Sequence, residues 1–375
     1  MPAQDSPAAQ DSVPAQDSPA AALNSMPTRD SPAAAPDSMP AQDSPAAPDA
    51  ALRVTAVVVT YNRQELLLEA LAAVHAQSRA PDAVIVVDNA STDGTAAAVR
   101  ARFPGVQLAE LDRNTGGAGG FAYGMALALD GDADLLWLMD DDTVPEPDAL
   151  RLLLEARERH PVRPPVLVAS SVLWTDGRAH PMNTPRPRPF AAKAERAAAA
   201  AAGCVPIRSA SFVSILVDAA ECRRRGLPQA DYFLWNDDFE FTTRLLRGNT
   251  GWLCPASVAV HKTKTFGSTN ADPGQRFFYE VRNKIWMFKS RAPLGPAERV
   301  LYAGSTLRRW ARTFAGSRDR RTLRASLVSG IVAGVRTSPR PTRDVLAGVG
   351  QLAPAAREQG AEAQHAGRHE SDHRG

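Results

Sequence analysis

Leu135-Leu136-Trp137-Leu138-Met139-Asp140-Asp141-Asp142 is the stretch on which the fold of this chain turns. An apolar run ends abruptly in three carboxylates. The run has the length and composition of a buried strand, although periodicity alone leaves a buried helix segment open. As a strand of an open α/β sheet it would carry its acids to the carboxyl edge, where ligands bind. Three adjacent carboxylates repel one another unless positive charge sits among them. A divalent cation is the economical source, because hard oxygen ligands suit Mg2+ or Mn2+. Side chains at i and i+2 of an extended segment point the same way. Asp140 and Asp142 are therefore expected to share one metal, or a metal and a ribose, while Asp141 faces elsewhere. A solvated acidic loop with a helix-capping aspartate is the plain alternative.

Upstream, Val54-Thr55-Ala56-Val57-Val58-Val59 is a near-continuous β-branched run suited to a central parallel strand. Thr60-Tyr61-Asn62 follows, with Asn62 expected as an N-cap and Glu65 completing a capping-box pattern. Leu67, Ala70, Leu71 and Val74 then recur at helical spacing. A second strand is expected over 83–87, ending in Asp88-Asn89-Ala90-Ser91-Thr92-Asp93-Gly94, and a third near 106–111 after a short helix. Strand-helix-strand-helix-strand is the plan of a doubly wound nucleotide-binding half, and the acid-tipped strand is its fourth. Before it, Asn114-Thr115-Gly116-Gly117-Ala118-Gly119-Gly120 opens a helix ending near Leu129. Glycines at a helix start let backbone N–H groups approach an anion. Glycines needed only for close helix packing are the other reading. A dinucleotide fingerprint is disfavoured, since it belongs to the first strand-helix turn and these glycines follow the third strand.

Downstream, Pro145-Glu146-Pro147-Asp148 starts a helix over 149–159 with Leu150, Leu153 and Leu154 inward. Strands are expected over 166–172 and 211–217. Residues 181–202, rich in Pro, Arg and Ala, read as a variable excursion over the surface. Trp235-Asn236-Asp237-Asp238-Phe239-Glu240 is a second acidic cluster, continued by Phe241, Leu245 and Leu246 at helical spacing. Its acids occupy a helix start. They either complement the helix dipole there or present a general base near, but not on, the metal. A strand and turn at 251–255 and a further strand over 257–260 lead to His261-Lys262. A histidine that terminates a strand after two acidic clusters is a candidate metal ligand. Residues 275–290 have the pattern of an amphipathic helix, with Phe278, Val281, Ile285 and Phe288 on one stripe. From Arg299 to Arg324 eight arginines stand against the single acid Asp319, with Leu301, Leu307, Trp310 and Phe314 interleaved. That pattern suits an anionic membrane surface, or a solvated basic helix pair packing on the core.

Composition narrows the field. At 375 residues the chain has room for one large domain or two modest ones. Residues 1–50 repeat Pro-Ala-Gln-Asp-Ser-Pro at 2–7, 14–19 and 40–45, and lack the aromatic residues that bury surface. A disordered low-complexity tail is expected there, then an α/β domain over 51–290, a helical basic region over 291–353 and a flexible tail over 354–375. The net charge of +2 implies no bulk field for nucleic acid. The three cysteines, Cys204, Cys222 and Cys254, are far apart and lack metal-ligand spacing, which fits a reducing compartment without disulfides. No basic region followed by an apolar run marks a secretory signal. No apolar run approaches the roughly 20 residues of a membrane span. A soluble or peripheral protein is expected.

Four of these motifs together resemble the inverting family-two glycosyltransferases of the GT-A fold: Val57 to Asn62, Val87 to Gly94, Asn114 to Gly117 and the triple aspartate. The likeness covers roughly residues 53–290. Within that family, three segments look most similar to the actinobacterial galactofuranosyltransferases that build cell-wall galactan. They are Gly116 to Phe121, Asp237-Asp238-x-Glu240, and Asp272 to Phe278 with Arg282-Asn283. Family-two rhamnosyltransferases share much of the pattern.

The resemblance implies an α/β, GT-A fold with a Rossmann-like mixed sheet and a helical, basic C-terminal region. It implies that Thr60 and Asp88 border the nucleobase, with Asp88 accepting from a uracil ring. Asn62, Asn114, Gly116, Gly117, Asp140 and Asp141 would also serve the nucleotide-sugar donor. Asp140, Asp142 and His261 would hold Mn2+ or Mg2+ on the diphosphate. Asp238 would be the catalytic base, favoured over Asp237 by its Asp-x-Glu spacing. Asp237 would orient the acceptor, with Trp235 and Glu240 beside it. The implied reaction is a single inverting displacement, in which the cation neutralises the leaving diphosphate and a carboxylate takes the acceptor hydroxyl's proton. The implied donor is UDP-galactofuranose. The implied acceptor is a lipid-linked or polysaccharide glycan of the cell envelope, met by a cytoplasmic protein peripheral to the inner membrane face. Rhamnosyl transfer from dTDP-rhamnose, metal-dependent nucleotidyl transfer and non-catalytic binding to an anionic surface are the rivals.

Overall fold

A strand buried along its whole length, β1 (Val54–Thr60), forms the axis of one half of the sheet. The computed structural model describes residues 52–266 and 272–350; the N-terminal repeats and the C-terminal tail lie outside the described residues. After β1 come α1 (Gln64–His75), β2 (Ala83–Asp88), α2 (Thr95–Arg102), β3 (Gln107–Glu110), α3 (Gly116–Asp130) and β4 (Leu135–Asp140). These strands lie in the order β3-β2-β1-β4, all parallel. The doubly wound half expected from the sequence is therefore present.

The second half is mixed. It contains β5 (Thr143–Pro145), α4 (Ala149–Glu158), β6 (Leu167–Leu173), β7 (Arg186–Pro187), α5 (Lys193–Ala201), β8 (Val205–Ser209), β9 (Ile215–Asp218), α6 (Ala219–Arg225), α7 (Asp237–Leu245) and β10 (Gly251–His261). The order continues from β4 through β9, β6, β10 and β8 to β7, with β5 pairing to β10. β9 is antiparallel to both β4 and β6, and β10 is parallel to β6. Two reversals restore the original direction, so β10 ends on the same sheet edge as β4. The helices α8 (Phe277–Lys289), α9 (Pro296–Gly316), α10 (Arg320–Arg336) and α11 (Thr342–Val345) follow.

Alternation along the strands feeds two helical layers. Val57, Val59, Ile85 and Val87 pack with Phe121, Met125 and Leu129 of α3. Ala56, Val58, Val84 and Val86 pack on the other face with Leu67, Leu71, Leu150 and Leu153 of α1 and α4. The glycines of α3 let that helix sit close to the sheet. A Cβ at Gly120 would come within 2.5 Å of Val59, and one at Gly124 equally close to Val57. Close packing is thus the right reading of those two glycines. Val345, Leu346 and Val349, near the end of the described chain, return to the α3 side of the core.

Local patterns were overridden in several places. Asn62 does not cap α1: the residue before the helix is Arg63, without a side-chain cap bond. Asn62 sits at positive φ, and its Oδ1 accepts from the Thr92 backbone N–H at 2.7 Å, tying the β1 and β2 loops together. The two strands expected over 251–260 are one strand with a bulge, where the register with β6 jumps between Cys254 and Val258. Pro255, which has no N–H for the ladder, lies in that bulge. The strand expected over 211–217 begins only at Ile215, because Ser214 is at positive φ. The segment 181–202 is more than a surface excursion, since it contains β7 and α5 and buries Asn183. α8 is not amphipathic in the simple sense, for its polar residues Glu280, Asn283 and Lys284 are buried as well.

Candidate active site

Topology assembles the first cluster. β4 delivers Asp140 at its carboxyl end, and the chain turns through Asp141 and Asp142 into β5. β5 then pairs with β10, placing Thr143 opposite His261. Lys262 N–H donates to the Asp142 carbonyl at 2.8 Å and pins the same junction. Asp140, Asp142 and His261 each offer a ligand atom, all within 4.8 Å of one another. These are three of the residues singled out in the sequence, and the structure brings them together.

The donor set fits a hard divalent cation. His261 Nδ1 faces Asn183 Oδ1 at 2.8 Å, and Asn183 Nδ2 donates to Ser211 Oγ at 3.0 Å. With its proton on Nδ1, the imidazole turns the Nε2 lone pair toward Asp142 Oδ1, 2.8 Å away. Two acceptors that close require a proton or a cation between them. Burial and then the charges of Asp142 and Asp141 push Asp140 well above the usual carboxylate range. Burial also acts to raise Asp142, but His261 and then Arg63 hold it below that range.

Asp141 does face elsewhere, as expected. It is buried, and its Oδ2 accepts from Thr60 Oγ1 at 2.9 Å and from the Tyr61 N–H at 3.3 Å. Arg63, not singled out in the sequence, bridges Asp141 Oδ1 at 3.1 Å and Asp142 Oδ2 at 2.7 Å. Burial raises Asp141 to about 6, with Arg63 opposing.

The other expected donor residues line the neighbouring strand ends. Asp88 closes β2, is buried, and accepts from the Ser91 N–H at 2.9 Å. Asn89 joins that turn to the glycine turn, donating to the Gly116 carbonyl at 3.1 Å and accepting from Thr115. Asn114 Oδ1 accepts from the Gly116 N–H at 2.7 Å. Gly116 has φ +73°, and a Cβ there would lie 2.0 Å from the Phe233 carbonyl oxygen, whereas Gly117 has open space.

That contact with Phe233 leads to the second acidic cluster. Phe233, Trp235 and Asn236 all have positive φ, a conformation that L-residues resist. Asn283 of α8, fully buried, holds the strained loop: its Nδ2 lies 3.0, 2.9 and 2.9 Å from the carbonyls of Tyr232, Leu234 and Trp235. Arg282 Nη2 donates to the Asp231 and Tyr232 carbonyls at 2.8 and 3.1 Å. Asn236 Nδ2 donates to Glu280 Oε2 at 2.8 Å. Asp237 and Asp238 then open α7. Burial and then the charge of Asp238 push Asp237 up to about 8. Burial raises Asp238 too, against the Phe239 N–H, Lys284 and Arg186. Asp237 is among the charges that raise Asp140, so the two clusters share one electrostatic environment. Glu240 is placed differently. It is buried, and its two oxygens accept from Arg244 Nε at 2.8 Å and Nη2 at 3.0 Å. Trp235 is half-buried in the strained loop.

Comparison with known proteins fits this arrangement. Residues 55–216 match the glycosyl transferase family 2 profile. The galactofuranosyltransferase GlfT1 of Mycobacterium tuberculosis H37Rv is 31% identical over 276 residues, covering 68% of this chain and 86% of that protein. GlfT1 of Mycolicibacterium smegmatis is 46% identical over 109 residues, 28% of this chain and 36% of that one. Among solved structures, Staphylococcus aureus TarS 1–349 in complex with UDP-GlcNAc superposes with a TM-score of 0.51 at 15% identity, covering 85% of this chain and 92% of that chain. Fold and site define a nucleotide-sugar-dependent glycosyltransferase with a GT-A-like mixed sheet. The chain belongs to glycosyltransferase family 2, near the GlfT1 proteins within it.

Proposed function

We propose that this protein is a metal-dependent, inverting galactofuranosyltransferase, moving galactofuranose from UDP-galactofuranose to a hydroxyl of a lipid-linked or polysaccharide acceptor in cell-envelope glycan synthesis. The observation that carries the reading is the Asp140–Asp142–His261 cluster in the same environment as Asp237 and Asp238. The relatives named galactofuranosyltransferase support the sugar. The fold shared with a UDP-GlcNAc-bound enzyme supports the GT-A frame.

Asp140, Asp142 and His261 would hold Mn2+ or Mg2+. Once bound, that ion would neutralise the negative charge gathering on the departing diphosphate. Thr60, Asn62, Asp88, Asn114, Gly116, Gly117 and Asp141 would form the nucleotide-sugar side. Asp238 would take the proton of the attacking hydroxyl, while Asp237 and Trp235 orient the acceptor. One base and one displacement invert the anomeric centre. The occupation of Glu240 by Arg244 favours a role for Glu240 in bracing α7.

We place the enzyme against the inner face of the cell membrane. No helix among the described residues is long and apolar enough to cross a membrane. α9 exposes Val300, Leu301 and Leu307, and α10 exposes Val328, Ile331, Val332 and Val335, in a strongly arginine-rich stretch. Apolar and cationic groups together suit anionic lipid.

The test is a panel of UDP- and dTDP-sugars screened for Mn2+-dependent thermal stabilisation, followed by product stereochemistry with the best donor. UDP-galactofuranose should stabilise most, and the transferred sugar should invert. Selective stabilisation by dTDP-rhamnose would replace the sugar, and retention at the anomeric centre would overturn the mechanism.

A further inference from the structure

The face of α8 that braces the strained loop carries a third buried polar residue. Glu280, Asn283 and Lys284 stand at i, i+3 and i+4 and so share that face. Asn283 is occupied by the three loop carbonyls. Glu280 is occupied by Asn236 Nδ2 at 2.8 Å, by Trp310 Nε1 at 3.2 Å and by Arg309. Lys284 is only 5% exposed, yet among the described residues its Nζ has no hydrogen bond or ion pair. Its close neighbour is the Phe239 ring, with Nζ 4.4 Å from the centroid. Arg186, exposed on β7, brings its guanidinium carbon to 5.4 Å from the same ring. It too has no carboxylate partner among the described residues.

A buried ammonium is costly unless paired. An aromatic face attracts its charge but leaves its N–H donors without acceptors. Burial lowers Lys284 to about 8; Glu280 and Asp238 oppose that fall, and Arg309 and Arg186 add to it. The partner these two cations lack is an anion. Their position says which substrate would bring it. Both cations face the ring of Phe239, the residue directly after Asp238, whereas the metal-ligating cluster gathers where β4 and β10 end. The donor diphosphate belongs with Asp140, so an anion at the cations belongs to the other substrate. Two cations, one with the planar fork of arginine, match a phosphate better than a single carboxylate.

We infer that Lys284 and Arg186 form an anion subsite beside Asp238 that takes a phosphate group carried by the acceptor substrate. The inference rests on the proposed donor and acceptor sides of the site. Its test is equilibrium binding of octyl phosphate, octanoate and octanol to the full chain saturated with UDP and Mn2+. Octyl phosphate should bind without displacing UDP, and about tenfold more tightly than octanoate. Lys284→Met and Arg186→Gln should each weaken octyl phosphate by about tenfold. If Lys284→Met does not fold, the exposed Arg186→Gln decides alone. Displacement of UDP, equal affinity for octyl phosphate and octanoate, or unchanged affinity in Arg186→Gln would overturn the subsite. Failure of UDP to bind with Mn2+ counts against the glycosyl-transfer reading instead, and the octyl phosphate titration without UDP still reads the subsite.

Discussion

Asp140 and His261 end strands and Asp142 sits in the turn between β4 and β5, whereas Asp237 and Asp238 follow a loop bent into left-handed backbone. The first group is positioned by the ladder itself: β5 pairs with β10 and fixes Asp142 beside His261. The second follows three non-glycine residues at positive φ, each costing on the order of 1–3 kcal/mol. What offsets that cost is a set of side chains from α8, Asn283 above all. The contrast teaches where each half is vulnerable. The strand-borne cluster should fail only when one of its members or an immediate partner is removed. The loop that leads to the proposed base should fail when a brace on another helix is removed.

The largest effect tests the loop's cargo. Asp238→Asn should lower transfer by roughly 10²–10⁴, while calorimetric titration shows UDP affinity nearly intact. Equal turnover would remove Asp238 from its role. Next comes the strand side. Asp142→Ala removes a proposed ligand, takes away the partner of His261 Nε2 and leaves Arg63 with Asp141 alone. Its UDP affinity in Mn2+ should fall by about a hundredfold, or about 2.7 kcal/mol. Unchanged affinity would show that Asp142 holds no metal.

The same contrast explains what could be read in advance. β1, β2 and β4 are apolar runs ending in polar residues, so the parallel half and the aspartates at its edge follow from periodicity. β9 is a short strand whose reversed direction leaves no mark in composition, so the mixed half had to be seen. His261 was legible because it ends a strand. Asn183, which orients it, lies 78 residues away in a Pro-rich stretch. Arg63 had an indirect signal, for three adjacent carboxylates need positive charge, and a neighbouring arginine supplies part of it alongside any cation. Asn62 misled because its local spelling suits a cap, while the tertiary bond to Thr92 took its side chain. Asn283 showed only through the Arg282-Asn283 likeness, since a buried asparagine on an amphipathic helix looks like any polar-face residue.

Removing one brace from each side sharpens the comparison. Asn283→Ala takes a donor from all three loop carbonyls and leaves those of Leu234 and Trp235 without one, since Tyr232 keeps Arg282, at roughly 1–3 kcal/mol for each buried group left unpaired. The melting temperature should drop, and kcat should fall about tenfold as Asp238 loses its aim, with little change in Mn2+-dependent UDP affinity. Asn183→Ala should do the reverse. Freed from its acceptor, the His261 ring can choose the other tautomer, and Mn2+ affinity should weaken by about 10–100-fold, more than kcat at saturating metal. If both variants shift the same parameter by the same amount, the two sides are not separately built.

The smallest effect concerns protons. Asp237 is held up to about 8 by burial and then by Asp238, against an unfolded value near 3.9. Between about pH 4 and pH 8 the folded chain therefore keeps a proton that the unfolded chain releases, and stability falls as pH rises through that window. Asp237→Asn removes the linkage. In EDTA, melting curves from pH 5 to pH 8 should show the variant gaining on the wild type as pH rises. Asp142 lies on the other side of the comparison, held below its ordinary range by His261 and Arg63 against its burial. Its contribution is present at neutral pH and is lost only as pH falls toward acid, so Asp142→Asn should lose most against the wild type at neutral pH and least in acid. Parallel, pH-independent offsets for both variants would mean that the two carboxylates titrate alike, and that strand end and strained loop do not impose the different environments read from their burial and partners.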